Sequence, residues 1–546
     1  MRNFALKHGF LICAIIFIGI FFYKVPLLTQ DGPNHKKVVT LYQQLPTSPL
    51  AQKVYQRNSC WLTTNSLFTC LAVPALKVLS IDAYEKWFYG FFAVLLLISY
   101  RLFLQCWYPA NRDLWVIALP FVFDLFFIKG MYNFLASIPF TFLALAFFKQ
   151  GVETKNLRWV IAFLLSSWAA FLAHPFPFFI INLSIAIMTW HYWRTRLKII
   201  LPFALIAVGF FMAFIFTYLL TAADSHIDYT ALPVFLLLTK LFGANFPRFG
   251  FLPFSLHLPY LGLLLGMMLY SLWRVPVSFK IYWLSALLLY FLFPDRGNSG
   301  SHINQRFVPY IFLFLPLGLV VSTRFKKWVG AASIFTFLIL GADIWQGIQA
   351  DQKIVQEAKQ VYTHLPKQSL LYPLNFEING SARNFPHLLH LWAVYPDDRM
   401  VLAPNLFAYD HLMSIFRIHP STPTYFPAPT EIEPQHLAEN NACQPTDRVG
   451  TIDCNKLREI GWAKLLANGY YYDYWFINAP PPDFLAKLNQ VPHLMKVAEA
   501  GRVSLWHYAM AKPFDPPLGV LFDKRLHGLK KLNRQRNHNS IGSRWP

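Results

Sequence analysis

The chain has 546 residues, 55% of them hydrophobic and 18% aromatic, with only 14% charged and a formal net charge of +21. Soluble proteins carry about 25% charged residues, so a soluble globular fold is excluded, and apolar runs recurring through the first two-thirds indicate a polytopic all-α membrane domain. The excess Lys and Arg lies largely in short loops between those runs, which makes it a topology signal and suits membrane lipid head groups or a lipid-linked phosphate, with no nucleic-acid partner implied.

The first run, "FLICAIIFIGIFFY", follows Arg2 and Lys7 and lacks a small-residue cleavage site. It reads as an uncleaved span over 9–27. The chain leaves it through "LLTQDGPNHKK", an unusually polar exit, and then "NHKKVVTLYQQL", which reads as helical. Segment 60–80 is apolar but rich in Ser and Thr with an internal Pro, and reads either as a span or as a helix in the interface. Ten further spans follow at about 85–105, 113–128, 132–148, 159–174, 175–191, 199–221, 258–273, 281–293, 307–322 and 329–346.

Charge decides between the two readings of 60–80. If it does not span, the loops "ANR", "KQGVETKNLR", "HYWRTRLK", "WRVPVSFK" and "STRFKK" are all inner. Those loops, with Arg2, Lys7 and Arg101, then carry roughly three times the Lys and Arg of the later outer loops, as the positive-inside rule requires. The expectation is eleven spans with the N-terminus in the cytoplasm and the C-terminus outside, in a bacterial inner membrane. The domains are then 1–346, with an outer loop at 28–84, an extracytoplasmic α/β domain at 347–512, and a basic disordered tail at 513–546. In the second domain "SLLYPL" and "YYYDYWFI" read as strands, "PPDFLAKLNQ" as a helix and "MKVAEAGRVSLWHY" as a hairpin.

Six Cys occur without a CxxC motif. Cys443 and Cys454 lie in the outer region as a disulfide or as two thiols. Cys60 and Cys70, if on one helix, stand about 15 Å apart and do not pair.

The outer loops collect the unusual polar groups. Asp31 can act as a general base or metal ligand, or as an Asx-turn or helix cap. His35, four residues on, can share its role. Asp124 sits within a span, where an ionisable group faces a cavity or a partner such as Lys129. His174 stands at an outer turn as a ligand-facing or a structural residue. The loop "PDRGNSGSHINQR" holds Asp295, Arg296, His302 and Arg306, a set able to grip a phosphate. Arg306, at the head of a span, can equally snorkel to lipid phosphates. Arg248 in "NFPRFGF" is a weaker candidate of the same kind.

This layout resembles that of the GT-C superfamily, integral membrane glycosyltransferases that use polyprenyl-phosphate sugars, and "DGPNH", "YNFLASIPFTFLALAF", "AHPFPF" and "INQRFVPYIFLFLPL" resemble motifs of bacterial multi-spanning proteins similar in layout to those enzymes. The resemblance covers most of the chain as scattered short motifs. It implies transfer of a sugar from a lipid-linked donor to an unidentified acceptor, with inversion. Asp31 falls on the acid of the first outer loop, and Arg296 and Arg306 on the phosphate-binding positions. A divalent cation, Mg or Mn, is the implied cofactor, held by Asp31 and His35 if at all. Many members have two adjacent acids there, whereas Gly32 follows Asp31. Two other readings stand beside it: a lipid or lipid-sugar transporter, and a non-catalytic glycosyltransferase-like protein.

Overall fold

The computed structural model describes residues 27–221, 254–294, 303–381, 387–403, 416–418 and 469–509, with isolated residues between and before them. Of the first apolar run only Ile12, Ile16, Gly19 and Leu27 are described.

Helix α1, Gly32–Gln44, carries Pro33 in its first turn, where a fixed φ suits the helix. Strand β1 (Tyr55–Arg57) follows. Helix α2, Leu67–Ala75, has nine residues. It is about 13 Å long, far short of a bilayer core. Segment 60–80 holds no helix long enough to cross one.

Helix α3 (Ile81–Trp107), capped by Ser80, is long and apolar enough to span. The expected span at 113–128 is wound differently. It consists of 3-10 turns, Pro109–Ala118 and Pro120–Phe123, and one α-turn, Leu125–Ile128. Prolines open both 3-10 stretches, and distant side chains satisfy carbonyls around them. Tyr260 OH donates to Ile117 O (2.8 Å), and Asn111 donates to Pro316 O and Leu319 O (both 2.7 Å).

Helices α4 (Tyr132–Thr154) and α5 (Leu157–Ala173) form an antiparallel pair closed by Lys155 in the left-handed region. Residues Pro177–Thr221 (α6) are helical throughout. Yet the Phe178 and Phe210 rings lie 5.5 Å apart. A straight helix would separate them by about 48 Å. The run therefore doubles back between the segments expected at 175–191 and 199–221.

Helices α7 (Leu258–Arg274) and α8 (Val277–Leu292) follow. The span expected at 307–322 has only one short α-helix, Val308–Leu313. Pro316 cannot continue it, and Tyr100 OH takes the freed carbonyl of Leu313 (2.8 Å). Nearly every residue of 304–319 is buried, so this segment forms the middle of the helical layer. Among the described residues five helices are long and apolar enough to cross a membrane, and two shorter ones are apolar.

Helix α9, Thr323–Val361, has 39 residues. The expected boundary at 346/347 falls inside it, so the apolar layer and the sheet that follows share one continuous helix. That sheet contains β4 (Gln368–Asn375), β5 (Met400–Leu402), β7 (Tyr474–Asn478), β8 (Leu494–Ala500) and β9 (Val503–Tyr508). Its order is β5-β4-β7-β9-β8, parallel across the first three strands and antiparallel thereafter. Helix α10 (Pro482–Leu488) links β7 to β8, and Gly501, at φ +56°, turns the β8–β9 hairpin. β1 pairs antiparallel with β6 (Phe416–Ile418), joining the loop after α1 to the C-terminal region. Cys443, Cys454 and the basic tail lie outside the described residues.

Candidate active site

Asp31 occupies the N-cap of α1, but its side chain makes no capping hydrogen bond. Its backbone is held instead. Gln30 N donates to Ile128 O and Asp31 N to Lys129 O, both at 2.9 Å, which locks "QDG" against the turn "KGMYNF". The two glycines make this approach possible. A Cβ on Gly32 would run into Thr29 Oγ1 and lie 2.5 Å from the Tyr132 hydroxyl. One on Gly130, at φ +71°, would lie 2.6 Å from Gly32 N. No second acid fits at position 32.

The freed carboxylate meets the C-terminal region. His390 Nε2 lies 3.5 Å from Asp31 Oδ1. The other ring nitrogen, Nδ1, receives the Trp392 indole N–H at 3.3 Å and has Asn34 Nδ2 at 3.4 Å. An indole N–H only donates. Nδ1 is therefore the accepting nitrogen, and Nε2 carries its proton towards Asp31.

His35 is buried beside Phe68 and Tyr132, with ring centroids 6.1 and 5.8 Å away. Burial pulls its pKa down to about 4; Asp31 opposes that shift and His390 adds to it. His35 is thus a neutral wall of the site at pH 7.

Two lysines fix the rest of α1. Lys36 Nζ reaches Asp82 (2.7 Å) and the fully buried Glu85 (3.2 Å). Glu85 also accepts from Tyr132 OH at 2.5 Å, and Tyr132 OH lies 2.9 Å from Thr29 Oγ1. Buried Lys37 reaches Asp397 at 2.5 Å and Tyr395 O at 2.6 Å. One helix is therefore pinned to α3 on one side and to the sheet region on the other.

The second cluster lies across the first turn of α4. Arg306 Nη1 is 2.8 Å from His174 Nε2, and its guanidinium stacks over Phe176 (5.0 Å) and near Phe134 (5.9 Å). His174 is itself buried, and its ring positions the guanidinium. Arg306 is buried, turned towards His174 rather than snorkelling to the lipid surface. Beside it, Asn304 is fully buried, and among the described residues neither atom of its side-chain amide is hydrogen-bonded.

Tyr132 touches the Asp31 cluster and Phe134 touches Arg306. Two residues apart on a helix, they point about 200° apart, so the acid and the cation flank a helix about 10–12 Å wide.

Asp124 parts from these clusters. Asp124 is a helix cap: Oδ1 accepts from Phe126 N (3.0 Å) and Phe127 N (3.1 Å). Arg296 opens the short hairpin of Arg296–Gly297 and Gly300–Ser301 (β2 and β3). Asp295, His302 and Arg248 lie outside the described residues. Among the described residues no three His, Cys, Asp or Glu converge as a metal site. Mg and Mn favour several oxygen ligands, and Asp31 with His35 supplies one carboxylate. The described residues do not fit such an ion.

Sequence reasoning missed His390, Trp392, Lys36, Lys37 and Glu85. The adjacent lysines of "NHKK" were a faint signal. His390, distant in sequence and in no motif, offered none.

No family model matches the sequence, and no curated protein matches it. The fold does match solved structures. ArnT from Cupriavidus metallidurans in the apo state aligns over 94% of this chain and 100% of its own, with TM-score 0.55 and 11% identity. The chain shares the fold of this ArnT. The same ArnT bound to undecaprenyl phosphate matches the chain over 94%, and over 99% of its own length, with TM-score 0.55 and 9% identity. At these identities the likeness concerns the fold.

Proposed function

We propose that this protein transfers a sugar from a polyprenyl-phosphate donor to an acceptor hydroxyl at the outer face of a bacterial inner membrane. The reading takes eleven spans, a cytoplasmic N-terminus and an extracytoplasmic C-terminal region, as the charge bias of the loops favours. The observation that carries it is the Asp31 carboxylate, an N-cap side chain that caps nothing and is held by His390 instead. The ArnT structure holding undecaprenyl phosphate supports the donor class.

Asp31 takes the proton of the acceptor hydroxyl as its oxygen attacks the anomeric carbon. The bond from that carbon to the lipid phosphate breaks, and the phosphate leaves with its electron pair. Arg306, steadied by His174, stabilises the leaving anion by charge-assisted hydrogen bonding, with Arg296 and His302 as further phosphate contacts. A single displacement inverts the anomeric centre. The donor spans the first turn of α4, with the sugar towards Asp31 and the phosphate towards Arg306. No step runs through a metal ion.

The test compares transfer from a polyprenyl-phosphate sugar by the parent, Asp31→Asn and Arg306→Ala. Loss in both at normal protein levels is expected. Unchanged turnover in both sinks the assignment.

Gly32 supports a second reading, a non-catalytic binder of the same lipid-linked sugar, since no second acid fits there. Donor binding retained without any transfer would favour it. The transporter reading leaned on Asp124, which caps a helix.

A further inference from the structure

Residues 60–80 do not form one helix, and this brings Cys60 and Cys70 together. The 3-10 turn Cys60–Leu62 is followed by a reversal in which Asn65 takes φ 58°. Asn133 fastens the reversal: its Nδ2 donates to Asn65 O and its Oδ1 accepts from Phe68 N, both at 2.8 Å. Ser66 then stands between the two cysteines. Its hydroxyl donates to Cys60 O at 2.6 Å and receives the Cys70 thiol at 3.7 Å. Both are buried free thiols, and the single Ser66 hydroxyl bridges the Cys60 backbone and the Cys70 sulfur.

The surroundings also make the pair chemically unequal. The contact with Cys70 pulls the Cys60 thiol down to about 7 against the effect of burial, helped by the Tyr42 hydroxyl. The same contact, with burial, pushes Cys70 up. Cys60 is the thiol that ionises first, and the thiolate is the nucleophile in exchange.

We propose that Cys60 and Cys70 form an intramolecular disulfide that closes the loop beneath α1. It is made by exchange with a thiol–disulfide oxidoreductase as the chain folds. The Cys60 thiolate attacks the oxidant's disulfide and forms a mixed disulfide. Cys70 sulfur then displaces the oxidant's second sulfur. One protein disulfide forms, the oxidant's disulfide is reduced to two thiols, and the two cysteine protons end on those thiols. The proposal rests on the outward orientation given above, because that compartment favours disulfides.

The bond has a structural consequence. The residues leading into that loop touch the Asp31 helix, since Tyr42 OH donates to Asn58 O at 3.0 Å. The next residues back, β1, pair with β6. The disulfide therefore ties α2 to the loop on which α1 and the C-terminal region rest.

The experiment uses the full chain, purified from membranes without reductant, denatured, alkylated and cut with trypsin. Cleavage after Arg57 and Lys77 leaves both cysteines in one peptide. The expected peptide is unalkylated and lighter than the dithiol by two hydrogens, and becomes doubly alkylated after reduction. Cys106, next to Gln150 on the opposite side of the layer, is alkylated in both samples. Reductant lowers the thermal midpoint of the parent and leaves Cys60→Ser and Cys70→Ser unmoved. A Lys77→Cys variant, probed on intact cells with a membrane-impermeant maleimide, reports the side of the membrane. Double alkylation without reduction overturns the disulfide. If Lys77→Cys is then labelled from outside, the pairing itself is wrong; if it is protected, the orientation is wrong and the disulfide falls with it.

Discussion

His390 Nε2 stands 3.5 Å from Asp31 Oδ1, so a residue of the sheet region holds the carboxylate at the head of α1. Trp392 sets which nitrogen faces the acid. The arrangement holds Asp31 as a donor to a carboxylate does, leaving its other oxygen for a substrate hydroxyl. His390→Leu removes the donor and is expected to lower transfer by about tenfold to a hundredfold, the range for a misplaced reacting group. His390→Gln keeps an N–H and should recover most of that loss. Equal loss in both, with normal thermal midpoints, would contradict a positioning role.

Gly32 answers a question raised by the resemblance, the missing second acid. The backbone of "QDG" is pressed against Lys129 and Gly130, and any Cβ on Gly32 meets Thr29, Tyr132 and Glu85. Gly32→Ala is expected to destabilise by about 1–3 kcal/mol, as overpacking does, read as a lowered thermal midpoint. Gly32→Asp should fare worse and gain no metal-stimulated transfer. A stable Gly32→Asp variant activated by Mn would show that position 32 is free to carry a ligand.

The pH response follows from His35. Its folded pKa, about 4, lies below the ordinary 6.5. A depressed folded pKa gives stability that is complete above pH 6.5 and is lost as pH falls through 4. The full shift corresponds to on the order of 3 kcal/mol. His387, buried beside Asp351 and also lowered to about 4, acts in the same direction. Thermal midpoints should drop between pH 7 and pH 4.5, and His35→Phe should drop less. An equal fall in parent and variant would assign the effect to other groups.

How far these features were legible depended on where their causes lie along the chain. Helices α3, α4, α5, α7 and α8 follow from uninterrupted apolar runs with polar ends, which are local properties. The segments around 113–128 and 307–322 have the same composition but prolines at 109, 120 and 316. Their carbonyls are satisfied by Tyr260, Asn111 and Tyr100, which hydropathy cannot reveal. The boundary at 346/347 marked a real change of composition, but helix geometry carries α9 through it. Asp31 and Arg306 were visible because charge is conspicuous beside apolar runs. His390 was not, because only the docking of α1 on the sheet region brings it to Asp31. Cys60 and Cys70 were misplaced because a left-handed Asn65 breaks a run that reads as one helix.

Lys36 offers the sharpest test of how α1 is anchored. Its ammonium is the charge facing Glu85, which is fully buried and shares one oxygen with Tyr132 OH. Burial works against the Lys36 charge, and Glu85 with Asp82 more than overcomes it, so its pKa stands above the ordinary lysine range. Lys36→Met removes one member of a buried pair and leaves the carboxylate uncompensated. Such losses cost about 3–5 kcal/mol. The double variant Lys36→Met/Glu85→Gln removes both charges and keeps an acceptor for Tyr132. It should recover most of the lost stability, since an apolar or neutral replacement of a whole buried pair is often close to neutral. A double-mutant cycle on the thermal midpoint measures this coupling. Additive losses would mean that Lys36 and Glu85 do not share a site, and that α1 is held chiefly by Lys37 and His390.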